Sequence, residues 1–259
     1  MYGIILVIQY ISIIGMFIES WIVFRRLNCR LHSYLFFSCI ASLVNNMGYL
    51  FELHATTEAA YMSALKMSYF GRVWTAFALF LFVSELCGIR VPGVIKTGLA
   101  LFHAATYVVV HTTPAHELYY KDIEFMRHGE MPIMKHSDGI WHEIFSVMIG
   151  LYIVFALTAL FITYHKEHDS TAKKRLSVVI VAIVTESIFT MAQLFLKTPL
   201  TNVYDLTMPG FMIGTFFMLV AIIRFDLLGT EQLAKEYIAD ELSEGIVAAD
   251  AKGHDAYYN

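Results

Sequence analysis

The chain has 259 residues, of which 58% are hydrophobic and 15% charged, with a formal net charge of −4. Mean hydropathy is +0.60. Soluble domains carry about 45–50% apolar and about 25% charged residues, so an ordinary soluble globular protein is excluded and a polytopic membrane protein is indicated.

Seven apolar stretches are long enough to be read as spans, at roughly 2–24, 33–53, 61–86, 97–112, 139–164, 175–196 and 209–225. A helix needs about 20 mostly apolar residues to cross the hydrocarbon. The fourth stretch is the shortest fit. The first is read as a span and not as a cleaved signal, because no basic residue precedes it and it is too long for a signal core. No stretch repeats another, so a duplicated-transporter pattern is not evident.

The connections set an expected orientation. Arg25, Arg26, Arg30, Arg90, Lys96, Lys166, Lys173, Lys174, Arg175 and Arg224 fall on one side; Lys121, Arg127, Lys135 and Lys197 fall on the other. Positive residues favour the cytoplasm, which predicts an outside N-terminus and a cytoplasmic C-terminus. Residues 113–138 form the one long connection, with Pro114 and Pro132, and are expected to cap the outer mouth. Cys29, Cys39 and Cys87 lie at or near the reducing side. They show no metal spacing and no disulfide framework, so they read as small apolar packers.

After the seventh stretch the composition turns acidic: Asp226, Glu231, Glu236, Asp240, Glu241, Glu244, Asp250 and Asp255 stand against Lys235 and Lys252. Such a tail argues against nucleic acid as a partner. Thr230 suits a helix cap with Glu231 in the first turn. Leu233, Tyr237, Ile238 and Leu242 make one apolar stripe, and Gly245 suits the helix end. Ile246–Ala249 reads as a strand, Asp250–Gly253 as a turn and Ala256–Tyr258 as a returning strand. The expected organisation is a membrane bundle at 1–225, a cytoplasmic linker helix at 226–245 and the start of a further domain at 246–259.

Several stretches together resemble one family, the N-terminal seven-helix sensor region of bacterial membrane histidine kinases and related diguanylate cyclases. They are Val44–Glu52, Ala64–Trp74, His116–Tyr120, and Tyr204–Pro209 leading on to Ile223-Arg224-Phe225. Asp240–Val247 resembles the opening of a PAS domain. The resemblance implies an all-α seven-transmembrane bundle in a bacterial cell membrane. It would sense an unknown small molecule or physical stimulus and relay it to a PAS and output domain, as a homodimer joined through the cytoplasmic helix. No kinase or cyclase motif follows, so the chain itself is expected not to be an enzyme, and no cofactor is implied.

Charged and polar residues at membrane depth are expensive and mark functional candidates. Arg72 and Glu186 each lie about 10 residues into their spans, roughly 15 Å deep, and are expected to pair. The pair reads either as a bistable lock or as a permanent strut fixing helix register. Asn45 and Asn46 read as interhelical glue or as ligand contacts. Glu52 and Lys66 read as an interfacial pair. Gly48 and Gly71 read as close-approach points. His111, His116, His128, His136 and His142 lie near the outer mouth with Tyr119 and Glu143; they read as solvated loop histidines, as proton sensors or as metal ligands, and none has a compact metal pattern.

Competing readings are a small transporter, using Gln9, Glu19, Asn45, Arg72 and Glu186 as a polar path, and a haem or quinone oxidoreductase. His103 and His111 are about 12 Å apart along one helix, so a single haem cannot take both. Residues 209–225 contain no lysine, which removes a retinal Schiff base. A truncated product or fragment remains a further reading.

Overall fold

A computed structural model of the chain describes residues 2–196, 198, 201, 203–229, 247–249 and 255–258. Seven helices carry the fold: α1 (Tyr2–Phe24), α2 (Arg30–His54), α3 (Glu58–Leu86), α4 (Gly93–His111), α5 (Ile140–Lys166), α6 (Ser170–Phe195) and α7 (Thr207–Arg224). All seven are long and apolar enough to cross a membrane. Their outer faces present large apolar side chains, among them Ile4, Ile14, Phe17, Val94, Val147 and Phe216. In lipid that exposure carries no cost, and the helix satisfies its own backbone.

Alternate helices run in opposite senses, so the bundle has two ends. At one end lie Tyr2, the α2–α3 turn, the long connection and the segment before α7. The exit from α7 lies at the other. Starts are marked by side-chain caps where the sequence offers them. Thr57 Oγ1 accepts from the Ala60 N–H at 3.2 Å, and Asp169 Oδ2 accepts from the Ala172 N–H at 2.6 Å.

The long connection is not an open loop. It folds into an antiparallel hairpin of β1 (Tyr120–His128) and β2 (Met131–Asp138), with a register irregularity between Lys121 and Glu124. His128 faces Met131 across a two-residue turn, and Gly129 takes a φ of +63° there. Only glycine adopts that conformation freely, which fixes the turn. This end is therefore the hairpin end.

α2 and α3 are pressed backbone to backbone. A Cβ added at Gly48 would stand 2.3 Å from the Ser68 backbone, and one at Gly71 would stand 2.1 Å from the Ala41 carbonyl oxygen. The two glycines are the close-approach points expected of them. α6 and α7 meet in the same way, with Gly210 against Phe189 and Gly214 against the Glu186 side chain.

The half of the bundle towards the exit is filled by one apolar cluster that includes Val23, Leu35, Phe82, Leu160, Val179 and Ile222. Beyond α7 the chain turns at Asp226 (φ 47°) and returns Leu227 and Leu228 to that cluster. Arg175 Nε donates to the Phe225 carbonyl at 2.9 Å, and Arg26 pairs with Asp226 at 3.1 Å. Further on, β3 (Val247–Ala249) and β4 (Asp255–Tyr258) pair antiparallel, as the alternating tail predicts. The linker helix expected at 230–244 lies outside the described residues.

Candidate functional site

The half of the bundle under the hairpin is open. A cavity of about 720 Å³ lies between α2, α3, α5, α6 and the segment before α7, with β1 and β2 as its roof. That volume is in the range of small-molecule sites, about 300–1,000 Å³.

Arg72 organises the floor. The tight α2–α3 contact puts Asn45 beside it, and Asn45 Oδ1 accepts from Arg72 Nε at 3.2 Å and from Ser68 Oγ at 2.9 Å. The guanidinium lies 4.9 Å from the centre of the Tyr69 ring. Its ion partner is Asp205, with Arg72 Nη2 at 2.7 Å from Oδ2. Asp205 is held in turn. Its Oδ1 accepts from the Thr207 N–H at 3.0 Å and the Thr207 hydroxyl at 2.6 Å, and its own N–H donates to the Tyr49 hydroxyl at 3.2 Å.

The expected Arg72–Glu186 pair is therefore corrected. Helix length gives the reason. α7 has 18 residues and α3 has 29, or about 27 and 44 Å at 1.5 Å per residue. The segment before the short α7 drops into the bundle and carries Asp205 down to the level of Arg72. Glu186 also lines the cavity, but it lies over Gly214, where a Cβ would come within 2.0 Å of its Oε1. It also borders a second, small cavity of about 30 Å³, together with Glu19, Cys39 and Thr215.

Glu52 is corrected as well. It does not form a surface pair with Lys66. Its side chain turns inward, 4% exposed, and lines the cavity. Its Oε1 has no hydrogen-bond partner among the described residues. Tyr61 and Ser68 lie beside the carboxyl.

The roof is latched to α3 through tyrosines. The Tyr69 and Tyr120 hydroxyls share a short hydrogen bond, and the Tyr119 ring meets Tyr69 edge-on at 5.3 Å between centroids. Burial pushes the Tyr119 and Tyr120 phenols well above their ordinary range, and the neighbouring Tyr69 adds to the effect. The Tyr120 and His136 ring centroids are 3.9 Å apart. His142 Nδ1 lies 3.4 Å from Asp138 Oδ1, and His136 Nδ1 lies 3.8 Å from the same oxygen.

Of the residues nominated from the sequence, Asn45, Glu52, Arg72, Tyr119, His142 and Glu186 line this one cavity. The others do not. Asn46 faces α1, where its Oδ1 accepts from Gln9 Nε2 at 3.1 Å and from Ser12 Oγ at 3.1 Å. Lys66 is half-buried away from the cavity. His116 bonds locally to Thr112 Oγ1 at 2.8 Å, and Glu143 is exposed. His103 stacks on Phe77 and Tyr152 and hydrogen-bonds the Tyr152 hydroxyl at 3.0 Å, so it is a packed core histidine. Among the described residues no group of three or more His, Cys, Asp and Glu side chains is placed to hold a metal.

The sequence reading missed Asp205, Tyr49, Tyr69, Tyr120, Gln193 and Tyr204, all of which line the cavity. The available signal was Tyr204-Asp205: an acid standing directly against the apolar start of α7 is out of place unless it has a cation to meet.

Seven apolar helices with a roofed polar cavity at one end define a multi-pass membrane protein built around a pocket, with its exit helix packed into the core. The sequence model of the N-terminal 7TM region of histidine kinase matches residues 5–230, and the chain belongs to that family. The region is a non-catalytic sensory input module. Among curated proteins none matches the chain.

Proposed function

We propose that the chain detects a small molecule in the cavity under the hairpin and passes the change through α7 to a cytoplasmic output. The observation that carries this reading is the polar floor of a roofed cavity: Arg72 bridged to Asp205, with the buried Glu52 carboxyl beside it, whose Oε1 has no hydrogen-bond partner among the described residues. Buried groups of this kind mark binding sites in membrane proteins. In this reading the hairpin end faces outward, the exit end faces the cytoplasm of a bacterial cell, and residues 226–245 dimerise as a linker. The 246–259 strand pair opens a PAS domain, and a histidine kinase or diguanylate cyclase follows it in a longer parent protein.

Val23, Leu35, Phe82, Leu160, Val179 and Ile222 pack the exit half of the bundle, so the cavity does not run through to the other end. Leu227 and Leu228 tie the segment after α7 into that same packing, so a shift of α7 moves the output junction with it.

Two measurements test this. Residues 1–229 are joined to the PAS and kinase of a related receptor, and autophosphorylation is followed when Ser187→Trp or Thr190→Trp fills the cavity. A changed kinase rate in correctly inserted protein is expected; an unchanged rate in both variants overturns the sensory reading of the cavity. In intact cells, an impermeant maleimide is expected to label Glu130→Cys at the hairpin turn and to spare Cys29 and Cys87. The reverse pattern overturns the orientation.

A further inference from the structure

We infer that the cavity takes an organic cation: an amine or quaternary ammonium carried on an apolar body, seated between the Glu52 carboxylate and the faces of tyrosine rings. The inference rests on the sensory reading of this cavity and names the class of ligand that it would take.

Charge on the floor is unbalanced. Arg72 already has a charge partner: Asp205 meets its Nη2 at 2.7 Å, Asn45 meets its Nε at 3.2 Å, and Tyr69 lies under its guanidinium. Glu52 is a second carboxylate near the same guanidinium, 4% exposed, with an oxygen that no described group meets. Glu186 and Asp138 bring the acids of the lining to four. The remaining cations of the lining, Arg127 and Lys135, stand exposed on the hairpin, where water screens them. A buried carboxylate without a partner is costly. A ligand cation offsets that cost by charge and hydrogen bond together, whereas a neutral donor offers the hydrogen bond alone and an anion adds repulsion.

The walls suit the same chemistry. Tyr49 and Tyr61 stand near the Glu52 carboxyl, and the Tyr49 and Tyr204 rings are 6.3 Å apart. Aromatic faces attract cations within about 6 Å of the ring centre, and the attraction grows where water is excluded. The Tyr204 hydroxyl is buried without a partner and is available to an N–H donor. Leu53, Leu65, Phe145 and Phe211 complete the lining, which gives an apolar body somewhere to sit. A cavity of about 720 Å³ is far larger than a bare metal ion needs.

The test uses the full chain in lipid nanodiscs, with empty nanodiscs as the control for partitioning. Phenethylamine and benzyltrimethylammonium are titrated by calorimetry beside phenethyl alcohol (neutral) and phenylacetate (anionic). The cations are expected to bind at least tenfold more tightly than the other two. Glu52→Gln is expected to weaken cation binding tenfold or more while leaving the ligand-free melting temperature unchanged or raised, because the amide removes an unpaired charge and keeps the shape. A Glu52 that served only as a strut would instead lower that temperature and leave the preference intact. Preferential binding of phenylacetate or phenethyl alcohol, cation binding unaffected by Glu52→Gln, or binding by none of the four overturns the cation assignment. The kinase measurement with the cavity-filling variants judges the sensory reading separately.

Discussion

The Arg72–Asp205 bridge is open to direct measurement. Removing one member of a buried ion pair costs about 3–5 kcal/mol, because the survivor is left charged and uncompensated. Here the Arg72 side chain keeps 25% of its exposure and that of Asp205 keeps 11%, so cavity water softens the loss to about 2–3 kcal/mol. Arg72→Met keeps the length of the stem. Asp205→Asn keeps an oxygen for Thr207. Each single change is expected to cost about 2–3 kcal/mol, and the double change to cost little more than either one. The coupling is therefore about 2 kcal/mol, well above the roughly 0.5 kcal/mol scatter of independent sites. Equilibrium unfolding in mixed micelles, with increasing fractions of denaturing detergent, measures all four proteins. Additivity between Arg72→Met and Asp205→Asn would refute the bridge. The parallel cycle of Arg72→Met with Glu186→Gln is expected to be additive.

Four further outcomes follow from the geometry. Gly71→Ala forces a Cβ to within 2.1 Å of the Ala41 carbonyl oxygen and should cost about 3 kcal/mol, the upper range for overpacking. Gly98→Ala, with nothing within 4 Å, should be neutral or gain up to about 1 kcal/mol in the same unfolding assay. Tyr69→Phe removes the hydroxyl bond to Tyr120 and should cost about 1–2 kcal/mol, with faster amide hydrogen exchange confined to β1 and β2. Above pH 10 the melting temperature should fall, because the unfolded chain releases its phenol protons before the buried Tyr119 and Tyr120 do, so the folded state binds more protons there and loses stability as pH rises. Tyr119→Phe should flatten that fall; an identical slope would refute the assignment.

The seven spans were legible because length and apolarity alone decide them, and the helix ends lie within a few residues of the expected ones. Gly48 and Gly71 were legible because close helix approach is the default reading of a glycine inside a span, although Gly98 and Gly150, with nothing within 4 Å, show that not every such glycine serves it. The hairpin was not. Its strands mix charge with apolar residues, and Asp122 (φ 51°) interrupts their alternation, so period-two patterning fails. Glu52 and Lys66 looked like a pair because they flank one turn. Sequence distance carries no direction, and the two side chains leave their helices on different faces. Asp205 escaped because it sits in a connection, and connections are assigned to the surface by default. Recognising it required knowing that α7 starts low.

The same short helix joins the cavity to the exit-side core. α7 begins two residues after Asp205, which grips Arg72 on the floor. One turn further on, Gly210 packs against Phe189, and Gly214 packs against Glu186, which borders both cavities. At its far end the chain turns at Asp226 and locks Leu227 and Leu228 into the exit-side core beside α1 and α6. A cation drawn to Glu52 enters the field that holds Arg72 to Asp205, since all three charges act on one another. Any weakening of that bridge loosens one of the contacts that hold the segment before α7, beside those from Tyr49, Gln193 and Thr207. A rigid helix with close-packed glycine contacts transmits such a movement instead of absorbing it. The tight α6–α7 contact and the buried leucines after α7 thus connect the cavity floor to the exit-side core, which is the path that the proposed relay would take.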